Sequence, residues 1–132
     1  MKTWRFWMAV VIVWIAANVL NIVSAPLWMT MGKMTDLLET GTNPIWYLVG
    51  NFTSAVVFTW FYDRVYSSFA GGLKGGLVYG FYAGVFLNFP TWIVAHLMFR
   101  GFPYGLSWIW TGFGVVSCAI WGAVLGAVYR KK

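Results

Sequence analysis

Charged residues are missing from four long stretches of this chain: no Asp, Glu, Lys or Arg occurs from Phe6 to Gly32, Thr40 to Tyr62, Gly75 to Phe99 or Gly101 to Tyr129. A helix rising about 1.5 Å per residue needs about 20 residues to cross a hydrocarbon core of roughly 30 Å, and each stretch has that length with residues left for turns. Backbone amides in lipid must be satisfied within a helix or a closed barrel, and four stretches are too few and too long for a barrel. The sequence therefore predicts an all-α integral membrane four-helix bundle. Its spans fall at about 6–28, 45–62, 76–98 and 107–129 within a single membrane domain over 1–132. Only 9% of the residues are charged, against roughly 25% in a soluble domain.

Lys2 and Arg5 ahead of an apolar run, followed by Val23-Ser24-Ala25, imitate a secretory signal, but Pro26 would directly follow the cut, an unfavourable position. The first helix is read as retained. Orientation follows from the basic residues: Lys2, Arg5, Arg64, Lys74, Arg130, Lys131 and Lys132 fall on one side, Lys33 and Arg100 on the other. This bias predicts two helical hairpins with both termini cytoplasmic, N-in and C-in, as expected for a multi-pass protein of a bacterial inner membrane. The net charge of +6 is then mostly a topology signal with some attraction to anionic lipid. It does not point to nucleic acid, because the basic residues are dispersed over helix ends and form no stripe. The segment between Met29 and Pro44 carries Lys33, Met34, Asp36, Leu37, Leu38 and Glu39, a pattern that fits either a turn or two of interfacial helix or a solvated loop.

Helices in lipid are held by close packing of small residues and by interhelical hydrogen bonds. In the third span Gly72, Gly76, Gly80 and Gly84 recur every four residues, and Asn88 continues the row; in the fourth, Gly114, Cys118, Gly122 and Gly126 form a second row. These two faces are expected to meet through Gly76, Gly80 and Gly84 against Cys118, Gly122 and Gly126. Cys118 is the single cysteine, so it forms no intrachain disulfide and reads as a small packing residue. On the first helix Trp14, Asn18, Asn21, Ala25 and Trp28 follow a four-three-four-three spacing along one face, which should point inward.

Counting about 1.5 Å per residue from the middle of each span puts Asn18, Asn21, Asn51 and Asn88 within about 5 Å of one depth. A converging polar cluster is expected there, since an unpaired amide in hydrocarbon costs several kcal/mol. Such a cluster serves either as glue between helices or as a ligand site. His96, the only histidine, lies near the other interface of the third helix; it makes either an ordinary hydrogen bond or an axial bond to a haem or chlorophyll-type pigment. Asp63-Arg64 at the end of the second span read as a local ion pair or as headgroup contacts.

No serine stands with an activating base and acid in sequence, and three carboxylates with one histidine are too few and too scattered for a hydrolytic metal centre. Neither a catalytic activity, a metal nor a resident cofactor is expected.

Thr59-Trp60-Phe61-Tyr62-Asp63-Arg64 closing the second helix, the run GLKGGLVYGF from Gly72 to Phe81 with Pro90 following in the same helix, and GAVLGAVYR from Gly122 to Arg130 carry a likeness. Over about its last 90 residues the chain resembles a family of small bacterial four-helix integral membrane proteins without an assigned activity. The resemblance implies an architecture and no active-site residues. Small multidrug exporters fit less well, because they use a membrane-embedded glutamate where the first helix has only Asn18 and Asn21. The expected function is that of an accessory or structural subunit in contact with membrane lipids and with other integral membrane proteins or copies of itself. The alternative is a binding protein or passive carrier for an apolar or amphipathic molecule such as a pigment, quinone or lipid.

Overall fold

A computed structural model describes residues 3–30 and 43–129. It contains α1 (Thr3–Thr30), α2 (Pro44–Val65), a single 3-10 turn (Tyr66–Ser68), α3 (Gly72–Met98) and α4 (Tyr104–Val128). No strand occurs among the described residues. Three segments are long and apolar enough to cross a membrane: Thr3–Leu27, Gly72–Met98 and Tyr104–Val128. α2 is not among them: Asn51, Thr53, Ser54 and Thr59 lower the apolarity of its 22 residues. The segment around Lys33 to Glu39, expected as either a short interfacial helix or a solvated loop, lies outside the described residues, as do Lys2 and Arg130 to Lys132.

The helices run past the spans that charge alone marks out. α2 continues through Asp63 and Arg64 to Val65, and α3 begins at Gly72 and takes in Lys74. Leaving hydrocarbon ends the need for apolar side chains but does not end the helix. What starts α2 is local: Pro44 fits the first helical position, and the Asn43 side chain accepts a hydrogen bond from the Ile45 amide at 3.0 Å. Gly101, at φ +84°, takes the chain from α3 into α4 through a conformation that a side chain would strain. Pro26 and Pro90 sit inside α1 and α3, as membrane helices tolerate when neighbouring groups satisfy the freed carbonyls.

The most extensive helix contact joins α3 to α4, and α1 lies on α2 and on α4. The buried core draws Val10 and Val13 from α1, Phe58 and Tyr62 from α2, Tyr79 from α3, and Leu125 from α4. Tyr79 ties α3 to α2 directly, its hydroxyl donating to the Phe58 carbonyl over 2.7 Å. The outside is as apolar as the core: Ile22, Phe86 and Leu97 are each more than 70% exposed. In water such a surface would aggregate; against acyl chains it carries no such cost.

Candidate functional site

The α3–α4 contact is made by backbone against backbone. A Cβ placed on Gly76 would overlap the Gly122 carbonyl oxygen and lie 2.7 Å from the Gly126 Cα. One on Gly80 would overlap the Cys118 carbonyl and lie 2.9 Å from the Ala119 Cα, and one on Gly84 would lie 2.9 Å from the Val115 Cα. As the α3 number rises, the α4 number falls, so the two helices run antiparallel. Glycine on both sides lets the axes approach closely enough for Cα–H groups to face carbonyls across the seam, a weak attraction repeated at each step.

Asn88 belongs to this seam. It fills the space above Gly114, where any Cβ would overlap its amide, and its Nδ2 donates to the Gly84 carbonyl at 2.9 Å while facing the Cys118 sulfur at 3.9 Å. Its Oδ1 accepts from the Trp92 indole at 3.2 Å, and the Trp92 ring packs edge-on to Trp110 at 4.4 Å between centroids. Both ends of the amide are thus satisfied within α3, and the Cys118 sulfur is its hydrogen-bonding contact across to α4.

A second polar seam joins α1 to α2. Asn51 Nδ2 donates to Asn18 Oδ1 at 2.9 Å, Asn18 Nδ2 donates to the Trp14 carbonyl at 2.8 Å, and the Trp14 indole donates to the Leu48 carbonyl at 3.0 Å. The expected four-amide cluster is therefore divided. A hydrogen bond joins Asn18 to Asn51, Asn88 bonds within α3 and packs on Gly114 and Cys118 of α4, and Asn21 is half-buried and engages through its backbone carbonyl, which accepts from Ser24 at 3.4 Å. A common depth does not imply a common direction, and Asn88 shares the direction of the glycine row that faces α4.

His96 is half-buried near the end of α3. Its Nδ1 lies 2.5 Å from the Ile93 carbonyl. A carbonyl can only accept, so Nδ1 is the nitrogen that donates in this contact. The ring packs on Tyr104 at 4.7 Å.

At the opposite end, aromatic residues from three helices meet in a group that the sequence reading did not identify. Tyr62 packs on Tyr79 at 4.8 Å, on Tyr66 at 5.5 Å and on Tyr129 at 5.7 Å, and the Tyr129 hydroxyl donates to Asp63. Arg64 lies over the Trp60 ring at 5.4 Å. These contacts bring together the end of α2, the start of α3 and the end of α4. The repeated Val-Tyr at 65–66 and 128–129 was the available sequence signal.

Beside the glycine seam, α3 and α4 leave an open groove of about 510 Å3 lined only by apolar residues. Leu73, Leu77 and Phe81 form one wall and Val116, Ile120 and Val124 the other. Ala119, Ala123 and Ala127, at four-residue spacing on α4, also line it. No group of three or more potential metal ligands occurs among the described residues. Comparisons with protein-family models, curated proteins and solved structures give no match.

Proposed function

We propose that this chain is an accessory or structural subunit of a bacterial inner membrane, with four crossings arranged as two helical hairpins and both termini cytoplasmic, that packs against another integral membrane protein and performs no catalysis of its own. The basic bias supports the orientation. α2 is counted as the fourth crossing on its length of 22 residues and its contact with α1. The family likeness of residues 59–64, 72–81 and 122–130 supports the same architecture.

One observation carries the reading. The outward face of α2 presents Gly50, Thr53, Ser54 and Val57, all exposed, and a Cβ on Gly50 would meet nothing within 4 Å. Thr53 and Ser54 donate to the carbonyls of Val49 and Gly50, at 3.0 and 2.9 Å, so their hydroxyl protons are already bonded within the helix. The result is a small, smooth strip with Trp46 and Phe61 at its ends, on the least apolar of the four helices. Strips of this kind allow close approach of a second membrane helix. The proposed occupant is therefore a transmembrane helix of a partner protein.

Purification in a mild detergent followed by mass spectrometry tests this. The reading expects a partner at fixed stoichiometry, lost on Gly50→Leu while the melting temperature of the chain alone stays within a degree or two. Retention of that partner by Gly50→Leu refutes the α2 surface. The second reading, a carrier for an apolar ligand, is favoured by the α3–α4 groove. It expects a small molecule in place of a protein partner, and for a pigment, a visible absorption band removed by His96→Ala.

A further inference from the structure

The outward face of α2 does not end with its small residues. Trp46, Gly50, Ser54, Val57, Phe61 and Arg64 follow one another at spacings of four and three, and all six are exposed. They form one row along the side of α2 opposite its buried Ala55, Phe58 and Tyr62. The row carries a single charge, at its Arg64 end.

That charge is unmatched. Asp63, the one carboxylate among the described residues, stands about 100° away around the helix and accepts from Tyr129. The Arg64 guanidinium forms no ion pair among the described residues, and its contact is the face of Trp60, 5.4 Å from the ring centroid. Trp60 lies one turn back along α2, inside the stretch from Thr40 to Tyr62 that has no charged residue. An arginine at a membrane surface usually extends outward to water and headgroups. Arg5 leans that way on α1, over Trp4, its neighbour nearer the chain end, at 5.9 Å. Arg64 leans the other way, so its charge is held back over the apolar segment.

We propose that the partner helix on this face carries an Asp or Glu near its cytoplasmic end, level with Trp60, and that Arg64 pairs with it. The inference rests on α2 being the partner-facing helix, and it names what the partner presents there. A guanidinium has five donors and no acceptor, in a planar fork that fits a carboxylate. Stacking on Trp60 holds the fork in place, so little side-chain freedom is lost on pairing. The same charge opposes a second copy of this chain as occupant. Two copies inserted in the same direction and meeting through this row would run α2 parallel to α2 and set Arg64 against Arg64. That like-charge contact is unfavourable, and Asp63, engaged by Tyr129, does not relieve it.

The test uses the purified full chain in phosphatidylcholine vesicles, with two labelled synthetic transmembrane helices as probes. Both have the length of α2 and a face of glycine and alanine, and they differ only in Glu or Gln at one end. Resonance energy transfer between probe and chain measures association, and circular dichroism reports that each variant is folded. The expected result is about a fivefold preference for the Glu probe, the upper range for an ion pair in contact with water. Arg64→Gln should abolish the preference with both probes still bound, Lys74→Gln should leave it unchanged, and Gly50→Leu should weaken binding of both probes. Equal binding of the two probes by the wild-type chain, weakened in Gly50→Leu, overturns the Arg64 pairing and leaves the docking face standing. A preference that survives Arg64→Gln overturns the pairing in the same way. Binding of neither probe, or binding that Gly50→Leu does not change, refutes the face and the pairing together. A homodimer of the wild-type chain that Gly50→Leu dissociates also overturns the proposal, since a second copy would then occupy the face.

Discussion

Two glycine-to-alanine substitutions in this protein should have opposite signs. Gly80→Ala adds a methyl group that overlaps the Cys118 carbonyl and lies 2.9 Å from the Ala119 Cα, where ordinary contact begins at 3.4 Å. Both obstacles are backbone atoms, so no side-chain rotation can relieve them, and the helices must separate by more than the ~0.5 Å that the Ala119 contact alone requires, because the Cys118 carbonyl overlap is the deeper one. Overpacking of this kind costs about 1–3 kcal/mol. Gly112→Ala, on the open side of α4, meets nothing within 4 Å and gains about 0.5–1 kcal/mol of helix propensity. The same chemical change should therefore differ by about 1.5–4 kcal/mol between the two sites. Gly84→Ala, whose nearest neighbours at 2.9 and 3.0 Å include the Cys118 side chain, should fall between them. Unfolding by sodium dodecyl sulfate in mixed micelles, followed by circular dichroism, ranks the three. Equal effects at Gly80 and Gly112 would refute the close backbone seam.

Asn51→Leu should destabilise the chain by about 0.6 kcal/mol, the usual worth of one interhelical bond in a membrane, and Asn88→Leu by more, because it also leaves the Trp92 indole without its acceptor; the same micelle titration measures both. Gly80→Leu should disrupt folding far more than Val78→Leu in that assay, and equal tolerance would count against the α3–α4 face. Tyr129→Phe removes a bond to a carboxylate and should cost about 1–3 kcal/mol, read as a lower melting temperature. Reporter fusions at Lys132 and within the Met29 to Pro44 segment should report opposite compartments; the same compartment for both would exclude the four-crossing topology.

Much of the helical architecture is readable because charge and glycine carry different kinds of information. Uncharged length marks where a helix can meet lipid, which is why α1, α3 and α4 stand out, and why α2, with Asn51, Thr53, Ser54 and Thr59, is the ambiguous one. A four-residue repeat such as Gly72, Gly76, Gly80 and Gly84 adds direction around the axis, and the α3–α4 contact lies along it. Asn88 sits on that repeat, so its direction was available too; grouping it with Asn18 and Asn51 used depth alone. The Tyr129 bond to Asp63 spans 66 residues of sequence and exists only once α2 and α4, running the same way, end side by side. The groove gave no signal, because Leu73, Ala123 and Ile120 are ordinary residues for any lipid-facing helix. The outward strip on α2 was equally silent, since Gly50 and Ser54 acquire meaning only when the opposite face is seen to be buried.

The glycine rows have a consequence for how the two helices find their alignment. A repeat of four is nearly self-similar, so sliding α3 along α4 by one step of about 6 Å would set glycine against glycine again at most positions. Two smooth rows alone would allow several alignments of similar energy. Asn88 breaks the degeneracy like a tooth on a ratchet. Moved one way, it takes the position of Gly84, where even a Cβ comes within 2.9 Å of the Val115 Cα. Moved the other way, it leaves the space above Gly114 empty and carries its amide away from Cys118. The seam therefore owes its closeness to the residues that lack side chains, and its single register to the large side chain at its end.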